Sequence, residues 1–398
     1  MPAKPVSQTE FIAIVAMLFA TIAISIDAML PALPQIAATL SPGAPNAVQL
    51  VVTSFVFGMG IGTLFTGPLS DAYGRKRVIM FGSGLYAAAA LACYFAPTLE
   101  TLLIARVVQG IGSAAPRTVS IAMVRDLFKG REMARILSFV FMIFTLVPAV
   151  APLMGQTIIA FADWHAIFLA YIAFSAVTML WMGLRQLETL AMADRRPLHL
   201  KTLWAATGEL AQHRVIVIST LVQTLTLAAL FATLSSMQSI FEIRFNRAES
   251  FPLWFAFIAL ASMSGSLLNS RVVMTLGMRR VIIATYSVQV GLTLIVLAVI
   301  ALGLLPEALA FPAHILWSVG LFSMMGLTMG NLNAMAMEPV GHIAGLAASV
   351  TSSIATVGSV LLAIPVGLAF NGTVLPLLTG VGVLLSLALI VMRSGLPR

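Results

Sequence analysis

The sequence predicts an all-α membrane protein of twelve transmembrane helices in two six-helix halves. Three observations carry that prediction. Of 398 residues, 60% are hydrophobic and 9% charged, too little polar surface to keep a soluble domain of this length dissolved. Apolar runs of about 20 residues, each long enough to cross a hydrocarbon core of roughly 30 Å, recur along the whole chain. The basic residues gather in the short segments between those runs.

The first helix, 11–32, begins with the apolar run Phe11 to Ile26. Lys4 ahead of that run imitates a signal peptide, but cleavage there would leave the remaining spans unexplained, so it is read as a span. The second helix, 46–69, is followed by the basic cluster Arg75-Lys76-Arg77, and the third covers 77–97. Only the tight turn Ala96-Pro97-Thr98 separates it from the fourth, 99–124. The fifth, 134–160, contains Pro148 and Pro152, and the sixth, 164–187, opens on Trp164. The longest polar interval, 188–213, is read as a linker between an N-terminal bundle, 1–187, and a C-terminal bundle, 214–398. The second bundle comprises 214–240, 250–271, 280–304, 308–334, 344–368 and 373–393.

Orientation follows from charge. With the N-terminus cytoplasmic, 18 of the 22 basic residues fall at cytoplasmic ends, and only Arg244 and Arg247 fall outside. Basic loops stay inside, so both termini and the linker are expected in the cytoplasm. This placement also accounts for the excess of 22 basic over 14 acidic residues without a nucleic-acid partner. The lone cysteine, Cys93, excludes an intramolecular disulfide. A faint echo between Gly67–Arg77 and Gly265–Arg280 suggests an internal duplication. Parallel repeats of this kind bind substrate near the membrane midplane.

Of 14 acidic residues, Asp27 alone is expected deep within a span. An ionisable group there is costly to keep charged and suits a proton carrier. At 1.5 Å per residue, Asp27 and Arg106 lie at similar depth, roughly 6 and 10 Å from the periplasmic ends of their helices. The two charges can pair directly or alternate with a shared partner. A salt bridge with no part in transport is the competing explanation. Arg106, Gln109, Gly110, Ser113 and Arg117 share one face of the fourth helix. A polar stripe on a membrane helix faces protein or a water-filled cavity. Arg117 either lines that cavity or snorkels toward the cytoplasmic interface. In the second half the polar residues within spans are uncharged, and Gln223 and Asn331 are the candidates for cavity contacts.

The segment Gly67-Pro-Leu-Ser-Asp71-Ala-Tyr-Gly74-Arg75-Lys76-Arg77 resembles the major-facilitator signature between the second and third helices. Arg106-Val-Val-Gln109-Gly110-Ile-Gly112 resembles that superfamily's fourth-helix motif. Asp27-Ala-Met-Leu-Pro31-Ala-Leu-Pro34, followed later by Val124-Arg125-Asp126, is similar to the twelve-helix drug/proton antiporters of the bicyclomycin and chloramphenicol resistance (Bcr/CflA) branch. The resemblance implies the major facilitator fold. It also implies proton coupling through Asp27 and Arg106, and a gating latch of Gly67, Asp71, Gly74, Arg75 and Asp126. Asp71 has the chemistry to cap a helix N-terminus, and Arg75 to pair with Asp126. Two departures stand out. His165 occupies a position where the branch more often has arginine. On the fifth helix, Ala151-Pro152-Leu-Met-Gly155-Gln156 ends in glutamine where antiporters carry glycine. Pro148 and Pro152 still kink that helix, and Gly155 still permits close packing.

The resulting expectation is proton-driven export of small, amphiphilic, drug-like molecules by a monomer in the bacterial inner membrane. The proton is the coupling ion, and no cofactor or metal is expected. The alternative is a proton symporter importing one metabolite. Catalysis would need a nucleophile with a base, or metal-spaced ligands. The five histidines, His165, His199, His213, His314 and His342, are scattered without ligand spacing, so no enzyme is expected.

Overall fold

The computed structural model describes residues 6–195 and 207–395. Lys4, Arg196, His199, Lys201 and Arg398, all used in the charge count or the histidine survey, lie outside the described residues, as does the side chain of His342. The chain divides into two compact units, Met1–Leu203 and Trp204–Arg398.

Among the described residues of the first unit the helices are α1 (Gln8–Asp27), α2 (Leu33–Leu40), α3 (Leu50–Tyr73), α4 (Arg75–Tyr94), α5 (Leu99–Leu127), α6 (Gly130–Phe161) and α7 (His165–Arg185). In the second they are α8 (Arg214–Ser239), α9 (Phe251–Leu276), α10 (Met278–Ala301), α11 (Glu307–Met337), α12 (Ala344–Leu368) and α13 (Leu375–Ser394). With α1 and α2 counted as one interrupted span, these make twelve membrane crossings. Eleven are long and apolar enough to be recognised on those grounds alone. The twelfth is α5, whose 29 residues span easily but include Arg106, Gln109 and Arg117. A hydropathy rule is blind to the helix that carries the most polar chemistry.

The first span differs from its sequence expectation. It runs over Gln8–Leu40 rather than 11–32. Its helix stops at Asp27, passes through a single 3-10 turn at Leu30–Ala32, and restarts at Leu33. Pro31 and Pro34 explain the interruption, since each lacks an N–H and disfavours helix in the residue before it. The turn before the fourth span is as tight as expected: α4 ends at Tyr94, and Thr98 caps α5 in a capping box with Thr101.

Helix α5 forms the spine of the first unit, packed between α3 and α4 through small residues. A Cβ on Gly58 or Gly110 would meet the facing backbone at 1.9 and 2.0 Å, so only glycine lets α3 and α5 approach this closely. Arg185 closes the unit with a two-pronged ion pair to Glu10 (2.8 and 2.9 Å), joining the start of α1 to the end of α7.

The two units repeat one another in detail. Ser25 Oγ on α1 meets the Tyr86 hydroxyl on α4 at 2.6 Å, and Thr226 Oγ1 on α8 meets the Tyr286 hydroxyl on α10 at 2.6 Å. Gly74 before α4 and Gly277 before α10 share the same left-handed backbone, with φ of 100° and 81°. Those positions are about 200 residues apart in each case, the length of one half.

Candidate functional site

The site begins where α1 breaks. A helix that ends inside the membrane leaves carbonyls without intrahelical donors, and they must find partners elsewhere. Arg106 on α5 supplies one. Its guanidinium is fully buried and donates to Ser25 O (3.0 Å), to Val51 O on α3 (3.1 Å) and to Gln109 Oε1 (2.8 Å). It also lies 4.5 Å from the centre of the Phe55 ring. The Tyr171 hydroxyl on α7 is a second donor to Ser25 O, at 3.3 Å. A cation at a helix C-terminus is favoured by the helix dipole, so Arg106 is held by carbonyls and an amide instead of by a carboxylate.

Asp27, two residues past Ser25, is the one buried carboxylate-bearing residue among the described residues, at 5% exposure. It has no hydrogen-bond or ion-pair partner among them. Direct pairing of Asp27 with Arg106, one of the sequence expectations, is therefore not what the structure contains. The depth estimate assumed straight, uninterrupted helices. The break at Asp27 instead offers carbonyls to Arg106 and leaves the carboxylate free.

The fifth-span motif meets the same break. A Cβ on Gly155 would lie 2.0 Å from Ala28 O, so α6 can touch the interrupted end of α1 only through glycine. Pro148 and Pro152 both lie within the continuous helix α6, and Pro152 precedes this contact by one turn. Gln156, the departure from the antiporter pattern, follows immediately.

Below Arg106 the α5 stripe continues. Ser113 is buried and donates back to Gly110 O at 2.7 Å, so its hydroxyl is already committed. Gln109 keeps its Nε2 without a partner. Arg117 is half-buried, and its guanidinium has no hydrogen-bond or ion-pair partner among the described residues. In the second unit, Gln223 is buried with Nε2 unpartnered, whereas Asn331 donates to Asn269 Oδ1 (2.8 Å) and to Leu327 O (2.9 Å). The Asn331 amide nitrogen is thus committed to joining α11 to α9.

At the other end of the first unit the residues of the signature segment assemble around Arg75. Its Nε donates to Asp126 Oδ2 at 3.0 Å and its Nη1 to Ser70 Oγ at 2.7 Å, with Asp71 as a further ion-pair partner. Gly67 contributes its carbonyl to Ser70 Oγ, at 2.8 Å. Within this unit the cap on α4 comes from Glu188, which sequence reasoning did not single out. Its carboxylate accepts from the backbone N–H of Arg75 (2.8 Å) and of Lys76 (3.2 Å). Thr189 Oγ1 donates to Asp126 Oδ2 at 3.0 Å, so the chain after α7 straps the cluster from two sides. Tyr86, Tyr171 and Ser25 were also missed. Their sequence signal was a hydroxyl on an otherwise apolar span.

Among the described residues no group of His, Cys, Asp and Glu could hold a metal ion. The geometry is instead that of a buried, partner-free acid at the break in α1, whose Ser25 carbonyl a buried arginine holds. The chain is 30% identical over 332 residues to the MFS-type transporter YdgK of Bacillus subtilis, covering 82% of this chain and 80% of the relative. It is 29% identical over 337 residues to a bicyclomycin resistance protein homolog of Haemophilus influenzae, covering 83% and 81%. The solved D-xylose–proton symporter superposes with a TM-score of 0.78 over 98% of both chains, at 14% identity, which speaks to the fold alone. The profile of the Major Facilitator Superfamily matches residues 13–363, and the chain belongs to that superfamily.

Proposed function

We propose that the protein exports small, drug-like molecules in exchange for protons, with Asp27 as the proton-carrying group. The observation that carries this reading is the buried Asp27 carboxylate without a hydrogen-bond or ion-pair partner at the break in α1. A paired carboxylate is held in its charged form, whereas a lone one in apolar surroundings takes up a proton readily. Antiport needs a group that alternates between those forms.

Arg106 acts beside it as a fixed charge. It anchors the end of α1 through Ser25 O and keeps Asp27 in place, while Gln109, Ser113 and Arg117 continue the polar face toward substrate. In the second unit, taken by itself, Gln223 carries an unpartnered amide nitrogen and is the candidate for substrate contact, with Asn331 the weaker one. The contact of Gly155 with Ala28 lets a movement of α6 reach the carboxylate directly. The Arg75–Asp71–Asp126 cluster serves as the gating latch. The relative named for bicyclomycin resistance supports a drug-like substrate, and the superfamily is one of transporters, not enzymes. A bacterial inner-membrane location with cytoplasmic termini, and action as a monomer, complete the proposal.

Purified protein in liposomes with an imposed pH gradient tests it. Substrate should accumulate on the acidic side in a manner dependent on the gradient. Accumulation on the alkaline side would instead establish proton symport.

A further inference from the structure

The second unit contains a cavity unconnected with the α5 stripe or Asp27. It has a volume of about 280 Å³ and lies where α8 and α10 end and α11 and α13 begin. That size is at the lower limit for small-molecule pockets. Most of its wall is apolar: Phe245, Val296, Ile300, Leu305, Leu375 and Leu378. None of the candidate transport residues lines it.

Its polar groups are few, and nearly all are occupied. At the mouth, Arg244 forms a two-pronged ion pair with Glu307 (2.7 and 2.8 Å), so neither charge is free for a ligand. Glu307 is 74% exposed, which places that pair at the rim. Thr373 Oγ1 donates to Asn371 Oδ1 at 2.7 Å and accepts from Leu375 N. Trp317 Nε1 donates to Thr293 Oγ1 at 2.9 Å.

His314 is the exception. It is 3% exposed and lines the cavity, yet its Nε2 is buried with no hydrogen-bond partner among the described residues. Stacking on Trp317 at 5.8 Å fixes the ring, and Phe245 flanks it at 5.5 Å. A π-helical turn, Ile240–Arg244, ends α8 and delivers Arg244 and Phe245 to the rim, an irregularity that often accompanies function. A buried polar group left without a partner is costly, and neutral imidazole can donate from one nitrogen while accepting at the other.

We infer that this cavity binds a compact, neutral amphiphile through a single hydroxyl on His314, with its apolar body against Phe245, Ile300 and Leu378. The closed ion pair at the mouth disfavours a charged ligand, which would enter an apolar wall uncompensated. The hydroxyl can come from a free alcohol or from a membrane lipid.

The full chain in lipid nanodiscs provides the test, with 2-naphthol and naphthalene as a pair differing by one hydroxyl. Corrected for uptake by protein-free nanodiscs, wild type should bind 2-naphthol saturably and about tenfold more tightly than naphthalene. His314→Phe should bring the two within about twofold, and His314→Gln, which keeps a donor and an acceptor, should restore part of the preference. Ala310→Leu, which fills the cavity without touching the imidazole, should weaken both ligands by tenfold or more. Native mass spectrometry separates the sources. A lipid adduct retained by wild type, lost in His314→Phe and displaced by 2-naphthol identifies a lipid hydroxyl; saturable 2-naphthol binding with no such adduct identifies a free alcohol. Absence of saturable 2-naphthol binding to wild type, or an undiminished tenfold preference in a folded His314→Phe protein, overturns the inference.

Discussion

At the scale of single residues, the division of labour between Asp27 and Arg106 decides how the site works. Each guanidinium nitrogen of Arg106 has an acceptor, from α1, α3 or its own helix, so it acts as a bracket. Asp27 has no hydrogen-bond or ion-pair partner among the described residues, and in the proposed mechanism it is the moving part. Asp27→Asn should therefore abolish substrate-driven proton release while leaving thermal stability equal to wild type or higher, because asparagine resembles the protonated acid and removes a buried charge. Proton release from purified protein, read with a pH indicator on adding substrate, checks this; undiminished release would move the coupling group elsewhere. Arg106→Lys separates charge from geometry. Lysine keeps the cation but cannot satisfy three divergent acceptors, so the unfolding midpoint should fall even though net charge is unchanged. An unaltered midpoint would show that Arg106 is needed only as a charge.

At the scale of helices, the interruption of α1 is what places both residues, and it was only partly legible. The α5 stripe could be read from its 3.6-residue period, because that pattern belongs to one helix. Pro31 and Pro34 stand in the sequence, yet the first span was read straight through Pro31 to residue 32, and no sequence pattern says which side chains will serve the carbonyls a break releases. The partners of Ser25 O come from Arg106 and Tyr171, on two other helices, and that is a property of packing. Gly155 was readable as a point of close approach, though not that Ala28 is what it approaches. Gly155→Ala should cost about 1–3 kcal/mol of stability, since the new methyl would overlap a backbone carbonyl. A melting curve indistinguishable from wild type would mean that the break is loosely packed. The α4 start yields a parallel test. Gly74 has φ of 100°, and a Cβ there would meet Glu188 Oε2 at 2.4 Å. Gly74→Ala should accordingly cost at least about 1–2 kcal/mol from backbone strain alone. Glu188→Gln, with the same shape and no charge, should cost less than about 1 kcal/mol. If the two variants melted alike, capping rather than backbone conformation would control this turn.

At the scale of the whole molecule, the halves share a scaffold but not a chemistry. The hydroxyl contacts Ser25–Tyr86 and Thr226–Tyr286 recur, as do the left-handed glycines before α4 and α10. The buried acid and the buried arginines Arg75 and Arg106 occur only in the first unit among the described residues. The two units share these features, and among the described residues only the first carries buried charge. That asymmetry makes the orientation of the first unit in the bilayer consequential, because in the proposed mechanism it sets which side supplies the proton to Asp27. Charge placement predicts that the segment after α7 is cytoplasmic and the α10–α11 connection periplasmic. The protein is well suited to deciding this, since its single cysteine, Cys93, is fully buried and leaves the wild-type chain blank to a thiol reagent. Arg195→Cys adds one thiol at a half-buried position and Leu304→Cys adds one at a position 67% accessible. In intact spheroplasts, a membrane-impermeant maleimide should modify position 304 and spare position 195. Permeabilisation should then expose 195 to the same reagent. The reverse pattern would invert the topology, and with it the side from which Asp27 is protonated.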